Sequence, residues 1–250
     1  MATKMKTRVL LFDLEVSREV VEGYRQGWDF KVVKTIKQQE LMCFAYKWLG
    51  DSKIRYVSMH DYPFKKEFLN ELWGLMDEAD IVIAHNAKRF DNKMANRFFI
   101  EQGFGPVRPY KTIDTLTVAR SVFKFPGNSL NALCEFLNIG SKEKITYADI
   151  ETDFLNGDKK AERLMRKYNI QDVNLLEQLY LKLRPWIRNH PNIGDIEQID
   201  GICPKCGSPN LNKEGTHARR GGRVQSYSCN DCGGWCSESS IKKQGRTVNL

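Results

Sequence analysis

Apolar side chains fall into short unbroken runs early in the chain and into helical stripes later, and this change of period predicts the elements. Residues 7–16, TRVLLFDLEV, place Val9, Leu10, Leu11 and Phe12 in succession, as in a strand buried on both faces. Residues 40–49 and 53–59 read as two further strands around the turn Gly50-Asp51. Phe64, Phe68, Leu72 and Leu75 then share one face of a helix over about 63–78, with Pro63 near its start. A short apolar strand at 81–84 delivers His85-Asn86, and a helix over about 90–102 carries Met94, Phe98 and Phe99. A strand at 110–113 ends on Asp114, a residue suited to cap the helix after it. Further helices are expected over about 129–137 and 159–184, the last one ending before Pro185. Strands first, then strand alternating with helix, predict an α/β domain with a mixed sheet.

Two stretches break this pattern. Residues 17–38 are polar and irregular, with Gly23, Gly27 and many charges, and read as an insertion or flexible loop. Residues 188–200, with Pro191 and Gly194, read as a linker. Beyond residue 201 aliphatic side chains become sparse and Cys, Gly, Ser and basic residues take over. Such a segment has too little apolar surface to fold alone, and a metal would supply the missing stability. The expected organisation is a domain over 1–187, a linker over 188–200 and a small metal-stabilised domain over 201–250.

Composition narrows the function classes. Hydrophobic residues make up 41% and charged residues 28% of the 250 positions, a folded globular balance. The first apolar run is four residues long and ends at Asp13, so no signal peptide is expected. No stretch approaches the roughly 20 apolar residues that cross a bilayer. A cytoplasmic location and no membrane partner are expected. The formal net charge of +8 attracts polyanions and makes nucleic acid the leading partner class. Seven cysteines, five of them after residue 200, are an odd and clustered set that argues for metal rather than disulfides.

The candidate chemistry begins with Asp13 and Glu15 at the end of the first strand. Alternating side chains put both on one side. Paired carboxylates leaving a buried strand are tolerated when a cation lies between them. Asp149/Glu151 and Asp195/Glu197 share this spacing, but in segments that read as helical or linker-like. His85-Asn86-Ala87-Lys88-Arg89-Phe90-Asp91 follows the short apolar strand and ends on an acid at a helix start. Tyr168 and Asp172 are four residues apart on the last long helix and so share a face.

FDLEV, HNAKRFD and YNIQD, in this order, resemble the motifs of the DnaQ-like 3′–5′ exonucleases of the ribonuclease H-like superfamily. IDTLTVAR and NSLNALCEFLNIG between them also resemble that family, and the likeness covers about residues 7–184. Tyr168, with Lys167 where another subgroup has His, resembles the DEDDy subgroup, which includes polymerase proofreading domains. The insertion at 17–38 has no counterpart in the resemblance. What the resemblance implies is a ribonuclease H-like mixed sheet flanked by helices. It implies catalytic Asp13, Glu15, Asp91, Tyr168 and Asp172, with the four carboxylates holding two Mg²⁺ or Mn²⁺ ions, all-oxygen sites suited to hard cations. Asp13 would bridge both ions, Glu15 and Asp172 would serve the one that activates water, Asp91 the other, and Tyr168 would orient the water. The product would be nucleoside 5′-monophosphates. Asn86 and Phe90 are candidate substrate contacts.

Cys203-Pro-Lys-Cys206 and Cys229-Asn-Asp-Cys232 are two C-x₂-C knuckles, each followed by glycine. Four thiolates in two tight loops suit one structural Zn²⁺, and the segment resembles a zinc ribbon. Cys236 is a fifth candidate, either a spare thiol or a ligand in place of Cys232, and reads better as spare. Lys205, Lys213, Arg219, Arg220, Arg223, Lys242, Lys243 and Arg246 stand here against three acids, a net +5. Arg219, Arg220 and Arg223 are candidate nucleic-acid contacts, and Tyr227 and Trp235 are suited to stack on bases. The ribbon either grips nucleic acid or docks a protein such as a separate polymerase or replication protein. The expected substrate is a single-stranded 3′ end, of DNA in proofreading in trans or degradation. The alternatives are trimming of RNA and a silent nucleic-acid-binding scaffold.

Overall fold

The protein is described from a computed structural model over residues 6–24, 27, 30–141 and 147–241. Strand β1 (Val9–Val16) is followed by a hairpin, β2 (Val20–Tyr24) and β3 (Lys31–Lys37), and then by β4 (Leu41–Trp48) and β5 (Arg55–Ser58). Helix α1 (Lys65–Glu78), β6 (Ile81–Ala84), α2 (Asp91–Glu101), β7 (Lys111–Asp114) and α3 (Thr115–Val122) alternate next. Helices α4 (Leu130–Phe136), α5 (Tyr147–Leu155), α6 (Lys159–Leu183) and α7 (Ile193–Glu197) come after them. The C-terminal part has β8 (Leu211–Arg219), β9 (Gly222–Cys229), β10 (Trp235–Ser237) and the short α8 (Glu238–Ile241).

The main sheet has the order β5-β4-β1-β6-β7. β4 runs antiparallel to β1 and β5, while β6 runs parallel to β1 and β7. This is the mixed sheet expected from the pattern of elements. β1 lies at its centre and is buried on both faces. Leu10, Phe12, Leu14 and Val16 join one core cluster with Phe68, Leu72 and Phe98 of α1 and α2. Val9 and Leu11 join another with Val173, Leu176 and Leu179 of α6. The odd-numbered face of β1 therefore looks toward α6, and Asp13 and Glu15 continue that face.

Helix α6 spans 25 residues, about 38 Å at the helical rise. Asp158 caps its start, accepting from the N–H groups of Lys160 at 2.9 Å and Ala161 at 2.7 Å. Its buried stripe runs Ala161, Met165, Asn169, Asp172, Val173, Leu176, Leu179, Leu183. Two polar residues interrupt an otherwise apolar stripe where the helix passes β1.

Three expectations are corrected. Residues 17–38 are not irregular: β2 and β3 pair into a two-stranded antiparallel ribbon. Valines at 20, 21, 32 and 33 favour the pleated backbone, and the ring of Phe30 lies where a Cβ on Gly23 would stand. The short alternation, broken by charges, hides this pattern in the sequence. Residues 188–200 contain α7, whose Asn192 cap accepts from Gly194 N–H at 3.0 Å. Ile193 is buried and donates its N–H to the Pro204 carbonyl at 2.9 Å, so packing on the following segment creates the helix. Phe64 does not join the buried face of α1. The helix begins one residue later and Phe64 stays 67% exposed as its N-terminal flank. Among the described residues no helix is long and apolar enough to cross a membrane.

Candidate metal and catalytic site

The end of β1 and the middle of α6 bring Asp13, Glu15 and Asp172 together, with one carboxylate oxygen of each within 4.8 Å of the others. Glu15 and Asp172 are buried and Asp13 is half-buried. Asn169, fully buried one turn before Asp172, donates its amide to Oδ2 of Asp13 at 2.8 Å and to the Asp13 carbonyl at 3.2 Å. This bond fixes the rotation of the Asp13 carboxylate. The sequence reading passed over Asn169. Its signal was available as a polar residue on the buried stripe of α6. Three carboxylates gathered in a largely dry place repel one another, and a hard divalent cation offsets that repulsion. The donor set, all oxygen, fits Mg²⁺ or Mn²⁺.

Asp91 lies at the first position of α2 and is buried. Its Oδ1 accepts the Leu14 N–H at 3.4 Å, which places it beside the carboxylate pair on β1 but outside the group of three. Burial pushes its carboxyl up to about 7, and the Asp114 charge adds to the shift. Tyr168 is half-buried on α6, one turn before Asp172.

The turn that carries Asp91 is held by Asp114. This buried side chain accepts from the N–H groups of Asn86 at 3.0 Å and Lys88 at 3.2 Å, and from Leu116 at 3.0 Å and Thr117 at 3.2 Å. One carboxylate thus caps α3 and clamps the loop ahead of α2. Asn86 has φ of 75°, the left-handed backbone that Asn tolerates. Its carbonyl accepts from Arg89 at 3.1 Å and Phe90 at 3.0 Å. Its role here is therefore to shape the turn, while it also lines a cleft of about 300 Å³ with Arg89, Thr117 and Arg120. Phe90 is 37% exposed at the start of α2. His85 places its ring nitrogens 2.9 Å from Thr115 Oγ1 and 3.0 Å from the Asn128 carbonyl, tying the loop before α4 to the same strand end.

The second cluster is Cys203, Cys206, Cys229 and Cys232, whose sulfurs all lie within 4.8 Å of one another. The Sγ atoms of Cys203 and Cys232 are 3.7 Å apart and those of Cys206 and Cys229 3.6 Å apart. A tetrahedron of sulfurs about 2.3 Å from Zn²⁺ has edges of about 3.8 Å, so this cage has the size of a zinc site. Each knuckle closes the same way, with Gly207 N–H on the Cys203 carbonyl and Gly233 N–H on the Cys229 carbonyl, both at 2.8 Å. Both glycines have positive φ, 75° and 71°, which a side chain would oppose. Hydrogen bonds from Cys206 and from the backbone N–H groups of Lys205 and Cys206 hold the Cys203 thiol at about 5. Cys236, on β10, lies outside the four-cysteine group.

The basic residues of this segment separate into different roles. Lys205 is buried, and its ammonium donates to the Pro185 carbonyl at the end of α6. It is a docking residue and not part of a solvated basic face. Arg223 donates to Thr216 Oγ1 at 2.8 Å and to its carbonyl at 3.1 Å. Arg220 is exposed in the turn between β8 and β9. The Arg219 side chain and residues 242–250, with Lys242, Lys243 and Arg246, lie outside the described residues. Trp235 is 62% exposed.

Residues 51–144 match the family model described as Exonuclease (RNase_T), a span of less than half the chain. It contains Asp91 and Asp114 but neither β1 nor α6. No curated protein matches the chain. Among solved structures the chain is similar to the family B DNA polymerase from the hyperthermophilic archaeon Pyrobaculum calidifontis. The identity is 16% and the TM-score 0.52, over 73% of this chain and 25% of that one. The chain thus corresponds to about a quarter of the polymerase's length, and the likeness is one of fold. Fold and match together define a ribonuclease H-like architecture with a segment similar to the exonuclease family model.

Two measurements check this geometry. Asp114→Ala leaves four backbone N–H groups without their acceptor and should cost about 2 kcal/mol or more in urea unfolding, with Asp114→Asn retaining part of it. Asp91 makes stability depend on pH in protein kept free of Mg²⁺ and Mn²⁺. Its carboxyl is raised from 3.8 to about 7, so between those values the unfolded chain loses a proton that the folded chain keeps. Stability present below about pH 4 is therefore lost as pH rises to about 7. Relative to Asp91→Asn, the urea midpoint of the native sequence should fall across that window, and parallel curves would refute the shift.

Proposed function

We propose that the protein is a divalent-metal-dependent 3′–5′ exonuclease acting on single-stranded 3′ ends of DNA. The observation that carries this reading is the convergence of Asp13, Glu15 and Asp172 from two separate elements, beside Asp91 and on a ribonuclease H-like fold. The exonuclease-family match over residues 51–144 supports nucleolysis, and the likeness to a DNA polymerase favours DNA over RNA.

Asp13, Glu15, Asp91 and Asp172 would hold two Mg²⁺ or Mn²⁺ ions. Bound there, the ions supply Lewis-acid charge to the phosphodiester and lower the pKa of an attacking water. The chain's own residues do the rest. Asn169 holds the Asp13 carboxylate in one orientation. Asp114 holds the turn that places Asp91. The Tyr168 hydroxyl orients the water for in-line attack, and Asn86 and Phe90 flank the 3′ end. Cys203, Cys206, Cys229 and Cys232 would hold one structural Zn²⁺, which stabilises β8–β10 where an apolar core is lacking.

Digestion of matched 5′-labelled single-stranded DNA and RNA with Mg²⁺ or Mn²⁺ tests the assignment. The expected result is a ladder shortening from the 3′ end, faster on DNA and reduced to background by Asp13→Asn or Asp172→Asn, with both variants melting cooperatively. A faster RNA ladder would make the protein an RNA-trimming enzyme, and unchanged activity in the variants would sink the carboxylate assignment. For the second site, elemental analysis should find one zinc per chain. Cys206→Ser should abolish it and expose β8–β10 to proteolysis while α1–α6 stay protected.

A further inference from the structure

The β2–β3 ribbon grows from the end of the strand that carries Asp13 and Glu15. Its neck is pinned two residues beyond Glu15. Ser17 N–H donates to the Glu40 carbonyl at 2.8 Å, and Glu40 N–H donates to Ser17 Oγ at 2.9 Å. Arg18 donates through its backbone N–H at 2.7 Å and its Nε at 2.6 Å to Glu151, a buried carboxylate of α5. On the other side Arg97 of α2 reaches Gln38 at 3.2 Å. The arm is thus anchored by both flanking helices, and the seven residues of β3 reach about 23 Å at the strand rise.

Lys31, Lys34 and Lys37 are spaced by three, which in a regular strand would alternate between faces. The ribbon's register breaks twice, between Val20 and Val21 and between Glu22 and Gly23. Each break adds one residue on β3 and turns its side chains over. The three lysines therefore stand opposite Val20, Glu22 and Tyr24, which are spaced by two and share one face: Tyr24 pairs with Lys31, Glu22 with Lys34, Val20 with Lys37. The result is one face with three lysines, of which Lys37 is paired with Glu40 at 3.6 Å while Lys31 and Lys34 stand with Glu22, interleaved with Tyr24, 73% exposed, and Val20, 46% exposed. Val20 and Lys37 also line a groove of about 520 Å³ between the arm and α5. Ammonium groups alternating with an aromatic and an aliphatic surface match the alternation of phosphate and unstacked base along a single strand.

We propose that this arm is a guide for single-stranded nucleic acid, holding the strand upstream of the 3′ end that enters the carboxylate site. The occupant follows from charge complementarity and from the arm's root beside Glu15. A protein partner or a second copy pairing along the ribbon's edges is the competing outcome. The proposal rests on the nuclease reading above, and its test separates the two.

The test is fluorescence anisotropy with labelled single-stranded 12-mers of DNA and RNA, with Mg²⁺ present and in an Asp13→Asn background that prevents cleavage. Binding is compared with and without Lys31→Gln and Lys34→Gln together. Each lost phosphate contact should lower the slope of log K against log salt by about 0.7. For two contacts this is a slope change of about 1.4 and, at 0.1 M salt, about 25-fold weaker binding. Tyr24→Ala should weaken binding with the slope unchanged. In the native background, hydrolysis of the p-nitrophenyl ester of thymidine 5′-monophosphate, which is too small to reach the arm, should be unaffected by the lysine changes. Unchanged strand affinity and slope would overturn the guide while leaving the nuclease standing. So would loss of ester hydrolysis in the lysine variant, or a change in self-association by sedimentation with strand binding intact. Absence of ester hydrolysis by the native chain, with the expected loss of strand binding, would support the guide and count against the nuclease.

Discussion

The gathering of like charges at the end of a dry strand is the constraint around which the protein is arranged. β1 is buried on both faces, so its end cannot turn Asp13 and Glu15 out into bulk water. α6 then adds Asp172 to the same point. An apolar strand and an apolar helix stripe hold the carboxylates where repulsion would otherwise part them. The surroundings compensate with fixed dipoles. Asn169 donates to Asp13 and the Leu14 N–H to Asp91. A hard divalent cation would suit such a gathering of acids. Burial raises the carboxyl of Asp91 as well.

Around this point the structure relies on small polar clamps more than on further core. Asp114 serves four backbone N–H groups from two segments, so one buried acid both starts α3 and holds the turn ahead of α2. The cysteine-rich part follows the same economy. Its β-strands lack an aliphatic interior, and its four sulfurs already stand at the spacing that Zn²⁺ demands. It rests on the far end of α6 through Lys205 and Pro185. Tyr180 and His190 meet nearby at 2.9 Å, with burial lowering His190 to about 4 and so keeping it neutral. The helix that carries Asp172 at its middle therefore has its end fixed by the cysteine-rich segment.

The pairing of Asp13 with Glu15, the two cysteine knuckles and the mixed sheet were legible in the sequence. Each depends on short-range order: a period of two puts Asp13 with Glu15, a period near four puts Tyr168 with Asp172, and two C-x₂-C turns define themselves. Local spacing also marked Asp114 as a cap. What the sequence could not supply was any relation that crosses between elements. That Asn169 reaches Asp13 depends on where α6 passes β1. That Lys205 is buried, and not part of a basic face, depends on the ribbon docking on Pro185. That three lysines spaced by three share a face depends on two breaks of register, which arise from pairing and not from composition. Local chemistry is written along the chain because neighbours in sequence have fixed geometry. The partners of a side chain and its exposure were decided only when distant segments packed together.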